Sequence, residues 1–75
     1  MVEQDYNLAM QWFQNAAYQG DLNAKRNMAE MYKQGYGVAQ DYKKSKKLLE
    51  EACKLGSHMA CMEFIALVNI MLKEK

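Results

Sequence analysis

An internal repeat constrains this chain more than any other feature. Val2, Gln4, Asp5 and Tyr6 return 36 positions later as Val38, Gln40, Asp41 and Tyr42, and the same offset pairs Ala16 with Ala52, Gly20 with Gly56 and Ala24 with Ala60. A unit written twice builds the same supersecondary element twice, and stacked copies cover each other's apolar sides. The expected organisation is one domain over residues 1–75, with repeat one at 2–37 and repeat two at 38–75. Repeat one closes on Gly35-Tyr36-Gly37, where two glycines allow the preceding helix to stop and the chain to turn back.

Composition narrows the repeat to helices. Proline is absent from the 75 residues, and strong helix formers dominate. The apolar fraction of 51% and charged fraction of 25% are those of a globular domain. A net charge of +1 provides no field for nucleic acid. No apolar run is long enough to span a membrane, and the first residues lack the basic start and apolar core of a signal peptide. Because the repeat is under way at Val2, the chain is expected to be a fragment or a mature form, so a missing leader says nothing about compartment.

Four helices follow from the periodicity. The first is expected over about Asp5–Gln19, capped by Asp5, with Tyr6, Ala9, Met10, Phe13 and Ala17 inward and Trp12 and Ala16 widening that face. Gly20 ends it and Asp21 caps the second, about Leu22–Gln34, with Ala24, Met28, Met31 and Tyr32 on one side. Asp41 caps the third, about Tyr42–Leu55, with Tyr42, Ser45, Leu48, Leu49, Ala52 and Cys53 inward. Gly56 stops it, and Ser57 caps a fourth over His58–Lys73. There Cys61, Phe64, Ile65, Leu67, Val68, Met71 and Leu72 form one broad inward face, leaving Met62 and Ile70 outside. Two apolar residues on a water-facing side are unusual.

These residues resemble the Sel-one-like repeat (SLR) family, relatives of the tetratricopeptide repeats. The pattern reads Gly35, Gly37, Val38, Asp41, Leu48-Leu49, Ala52-Cys53, Gly56 and Ala60 in one copy. In the other it reads Val2, Asp5, Ala9, Trp12-Phe13, Ala16-Ala17, Gly20, Ala24, Met28, Met31 and Tyr32. Two departures stand out. Ser45 replaces the alanine seen at Ala9, and Met71 and Lys73 occupy the positions of Gly35 and Gly37, so the fourth helix is expected to act as a terminal cap. The resemblance implies an all-α fold, an α/α superhelix of two helix-turn-helix repeats with four antiparallel helices. It further implies an adaptor or scaffold that binds a protein or peptide, with no catalytic residue in the pattern itself.

Cys53 and Cys61 would lie too far apart to bond on one unbroken helix, but the break at Gly56 allows them to meet across a turn. Cysteine-rich bacterial members of the family have the same arrangement, and that resemblance implies a Cys53–Cys61 bridge. The alternative is two reduced thiols packed as small apolar groups. A bridge would place the protein in the periplasm or outside the cell.

Little else suggests chemistry. His58 is the only histidine; at a helix start it reads as a solvated capping-region residue, no nucleophile–base–acid set can be assembled around it, and zinc at the cysteines would need two further ligands. No metal or cofactor is expected. Lys43, Lys44, Lys46 and Lys47 read as a solvated face, with Lys47 able to meet Glu51 and Glu50 able to meet Lys54. Ser45 lacks the lysine three positions on that a penicillin-type nucleophile needs.

Three functions remain. The first is a module for a protein or peptide partner, for which Tyr18 and Tyr36 fall off the apolar stripes and are candidate contacts. The second, from the cysteine-rich relatives, is weak penicillin binding or β-lactam hydrolysis. The third is a structural homo-oligomer formed through the last helix, with Met62 and Ile70 in the contact.

Overall fold

The computed structural model describes residues 5–74. Val2 and Gln4, which open the first copy of the repeat, lie outside the described residues. The described residues form four helices: α1 (Tyr6–Tyr18), α2 (Leu22–Gln34), α3 (Tyr42–Lys54) and α4 (His58–Lys73). There is no strand among the described residues. Each helix packs on the one before it. The body measures 35 × 28 × 19 Å, about two helix diameters in its thinnest direction. This is the expected all-α stack of helix pairs.

The duplication is visible in individual hydrogen bonds. Asp5 Oδ1 accepts from the Leu8 N–H at 3.0 Å, and Asp41 Oδ1 accepts from the Lys44 N–H at 3.0 Å. Asp21 Oδ1 accepts from the Ala24 N–H at 3.2 Å, and Ser57 Oγ accepts from the Ala60 N–H at 3.1 Å. All four expected caps are thus in place, each satisfying an amide that has no partner inside its own helix. The helix ends repeat as well. The Gly20 N–H donates to Ala17 O and the Asp21 N–H to Ala16 O; 36 positions on, the Gly56 N–H donates to Cys53 O and the Ser57 N–H to Ala52 O, all at 3.0 Å.

The core is built from small residues. Of the nine buried apolar side chains among the described residues, four are alanines (Ala24, Ala29, Ala52 and Ala60). Alanine at a crossing lets helix axes approach closely, so contact area comes from backbone proximity rather than bulk. One cluster joins Ala29, Leu49, Ala52, Ala60 and Leu67; the other joins Met10, Met28 and Met31, and Leu48 packs against both. Ala29 falls outside the single inward stripe expected for α2, yet it is 1% exposed. The reason is that α2 lies between α1 and α3 and must bury two faces.

Burial on the terminal helices differs from expectation. Trp12 is 67% exposed, and Ile65 and Leu72 are each 59% exposed, although all three were expected inward. Ile70, expected in solvent, is half-buried. The inward stripe of a helix is as wide as the neighbours that cover it. Among the described residues, α1 packs extensively only on α2, and α4 mainly on α3, joining α2 along one edge in the cluster that holds Ala29.

The loop before α3 depends on Gly37. Its φ is +71°, and a β-carbon there would overlap the Tyr6 side chain. Next to it, the rings of Tyr36 and Tyr6 stack with centroids 5.2 Å apart and an interplanar angle of 11°. Gly20 also has positive φ, but nothing lies within 4 Å of a β-carbon built on it. Gly20→Ala is therefore expected to cost only backbone strain, about 1–2 kcal/mol. Gly37→Ala adds a steric clash and is expected to cost roughly 3 kcal/mol or more. Urea unfolding followed by helical circular dichroism should rank the two in that order.

Candidate functional site

The junction between the two helix pairs has the most developed polar chemistry. Ser45, the residue that departs from the repeat's alanine, is 0% exposed. Its hydroxyl donates to the Ala29 carbonyl oxygen at 2.7 Å. A side chain that is buried and hydrogen-bonded in this way is a spacer between α2 and α3, not an accessible nucleophile. Around it, Lys25 Nζ reaches Glu51 Oε1 at 3.1 Å. Glu51 thus turns to α2 rather than to Lys47, the partner expected on its own helix. Glu50 does meet Lys54, at 3.8 Å.

Arg26 makes the strongest polar contact of the junction. Its Nε and Nη2 donate to the two carboxylate oxygens of Glu63 at 3.1 and 3.0 Å, joining α2 to α4. Nη1 donates to Asn23 Oδ1 at 3.1 Å. The hydrogen bonds that Arg26 donates to Glu63 hold the guanidinium pKa above its ordinary value, against the opposing effect of burial. A fork-to-fork pair of this kind fixes the angle between the two helices as well as their distance.

A groove opens between α2 and α3. Met28, Tyr32 and Leu48 supply apolar surface, and Lys44, Lys47 and Glu51 the rim, enclosing about 270 Å³. The Lys44 ammonium lies 5.1 Å from the centre of the Tyr32 ring, a cation–π arrangement. A second hollow of about 370 Å³ lies between α1 and α2, lined by Tyr6, Ala9, Phe13 and Met31 with Asp5, Asn27 and Glu30. From sequence, Trp12, Phe13 and the tyrosines suggest a peptide groove, with core packing as the default reading; Tyr6 and Phe13 do line the second hollow and Tyr32 the first, while Trp12 lines neither. Each groove needs residues from two helices, so its position does not follow from one segment.

The candidate contact residues do not converge. Tyr18, 93% exposed, closes α1 at the end opposite Tyr6. Tyr36 is 43% exposed and stacked on Tyr6, so it also serves as structure. Met62 is 71% exposed, whereas Ile70, two turns further on, is half-buried. Met62 stands with Met59, Ile65 and Leu72 on an exposed apolar side of α4, which is not the polar outer face of a terminal cap.

Cys53 and Cys61 do converge. Their sulfurs are at disulfide distance and their α-carbons 4.6 Å apart, within the span a bridge requires, about 4.4–6.8 Å. Among the described residues there is no group of three His, Cys, Asp or Glu side chains able to hold a metal ion. None of the described helices is long and apolar enough to cross a membrane.

Stacked, capped helix pairs of this length define an α/α helical-repeat protein. A family model for the Sel1 repeat matches residues 1–21 and 22–57, and the chain belongs to that family. Its repeats are typically non-enzymatic and mediate protein–protein interaction. Neither the curated proteins nor the solved structures contain a match to the chain.

The Arg26–Glu63 pair can be tested by a double-mutant cycle with Arg26→Met and Glu63→Met. The Glu63 side chain is 44% exposed, so solvent screens the pair, and a coupling of about 0.5–1 kcal/mol is expected. Molar salt should reduce the coupling, whereas helix-propensity effects of the same substitutions should be insensitive to it.

Proposed function

We propose that this chain is an interaction module that docks an extended segment of a partner protein in the α2–α3 groove. The observation that carries this reading is the pairing of an apolar floor with a basic rim. Met28, Leu48 and the Tyr32 ring offer a seat for one large apolar side chain, and Lys44 and Lys47 stand beside it. Glu51 shares that rim, but Lys25 occupies it. The matching partner is a peptide with an aromatic or aliphatic anchor next to one or more carboxylates. Tyr18 and the outer face of Tyr36 are further contact candidates. They lie outside the groove lining and suit a longer partner that runs past it.

A displayed library of random peptides, selected on the immobilised protein, is expected to enrich anchors flanked by Asp or Glu. Lys44→Glu combined with Lys47→Glu should weaken the enriched peptides at least about tenfold by reversing the rim charge. Enrichment without acidic flanks, or affinities unmoved by the charge reversal, would refute the groove as the docking site.

The cysteine pair supports an oxidising location, the periplasm or the exterior. As a bridge it closes a short loop between α3 and α4. In the chain-entropy model, reduction should then cost roughly 2–3 kcal/mol. Mass measurement before and after alkylation gives the thiol state. Urea unfolding with and without reductant gives the cost, and a Cys53→Ala, Cys61→Ala double variant should match the reduced protein.

A further inference from the structure

The geometry points to head-to-tail self-association, in which α4 of one copy receives α1 of the next as α2 receives α3 within a copy. The argument begins with the offset of 36 positions that relates the two helix pairs. Moving along the chain by that offset carries α1 onto α3 and α2 onto α4. One further step carries the α2–α3 junction onto a junction between α4 and the α1 of a second molecule.

Each polar contact across the internal junction can be followed through that step. Lys25 and Glu51, an ion pair at 3.1 Å, become Cys61 and Asn15. Tyr32 and Lys44, a cation–π pair, become Val68 and Leu8. Arg26 and Glu63, the bidentate pair, become Met62 and Asn27. Every charged pair is replaced by neutral or apolar residues, so docking the two faces would bury no charge from these positions. Ala29 and Ser45, the closest approach, become Ile65 and Ala9, and the hydroxyl that needed a partner is gone.

The exposed apolar residues lie where this operation needs them. On α1, Leu8 is 44% and Trp12 67% exposed; on α4, Met62 is 71% and Ile65 59% exposed. Trp12 is the counterpart of Leu48, which packs against both core clusters. Ile65 is larger than Ala29, so the incoming α1 must stand further out, and the indole of Trp12 is long enough to fill that space. The two faces differ from each other, so the contact is heterologous and does not close on itself at two copies.

The test is complementation between two variants of the chain. Wild type should show a mass that rises with concentration past that of a dimer in sedimentation equilibrium. Trp12→Glu blocks the α1 face and Ile65→Glu the α4 face. Both positions are exposed, and each variant should stay helical by circular dichroism and monomeric. Mixed, they should form a one-to-one heterodimer, since each retains the face the other lacks. Leu8→Glu and Met62→Glu repeat the test at neighbouring sites if either first variant unfolds. A dimer that survives Trp12→Glu would mean that α4 pairs with itself, and would overturn the proposal. A monomeric wild type, assigning these faces to a different polypeptide, would also overturn it, as would a mixture that stays monomeric.

Discussion

The contact on which the rest depends is the close packing of α3 on α2 at Ser45 and Ala29. Ser45 is fully buried, and its hydroxyl donates to the Ala29 carbonyl oxygen at 2.7 Å. Both side chains are small, so the helices approach until the backbone of one can accept from the side chain of the other. Burying a hydroxyl without a partner would cost on the order of 1–3 kcal/mol, and Ala29 O removes that cost. No buried side-chain nitrogen or oxygen among the described residues lacks a hydrogen-bond partner. From this crossing the two core clusters extend to either side and meet at Leu48. The Lys25–Glu51 and Arg26–Glu63 pairs then fix the rotation of one helix pair against the other.

Much of this was legible in the sequence because it is local. A cap needs one short polar side chain before a helix, so Asp5, Asp21, Asp41 and Ser57 could be identified from spacing alone. The ranges expected for α2 and α4 are those observed, whereas α1 is one residue shorter at each end and α3 one residue shorter at its C-terminal end. The repeat offset carried the pairing of the turns, since Gly20 and Gly56 close the same hydrogen-bonded end. Convergence of Cys53 and Cys61 followed from the break at Gly56 together with the family resemblance.

What was not legible depends on neighbours that periodicity does not encode. A stripe of apolar residues says that a helix has something to bury, not how many helices cover it. Trp12, Ile65 and Leu72 belong to such stripes and are exposed because no helix in the described residues packs over them. Ala29 shows the reverse case: a helix with neighbours on two sides buries a residue outside its main stripe. Glu51 presents the same difficulty for charge. Spacing on α3 pointed to Lys47, but the fold placed Lys25 of another helix closer. Both grooves likewise arise from pairs of helices, so neither could be read from a single segment.

The two ways of dividing the chain lead to one physical picture. The family matches cut it between residues 21 and 22 and group α2 with α3, whereas the offset of identical residues groups α1 with α2 and α3 with α4. In a linear stack the two frames describe the same run of helices, because each internal helix meets one neighbour through a tight turn and another through the longer Gly35–Gln40 loop. The energetics do not share this symmetry. The α3–α4 turn holds the cysteine pair and α3 is covered on both sides, while α1 has one packed neighbour and keeps Leu8 and Trp12 in solvent. The end of the stack with the most exposed aromatic surface is therefore also its least supported end. A helix in that position gains stability from whatever covers it, so in this fold binding at α1 and stabilisation of α1 are the same event.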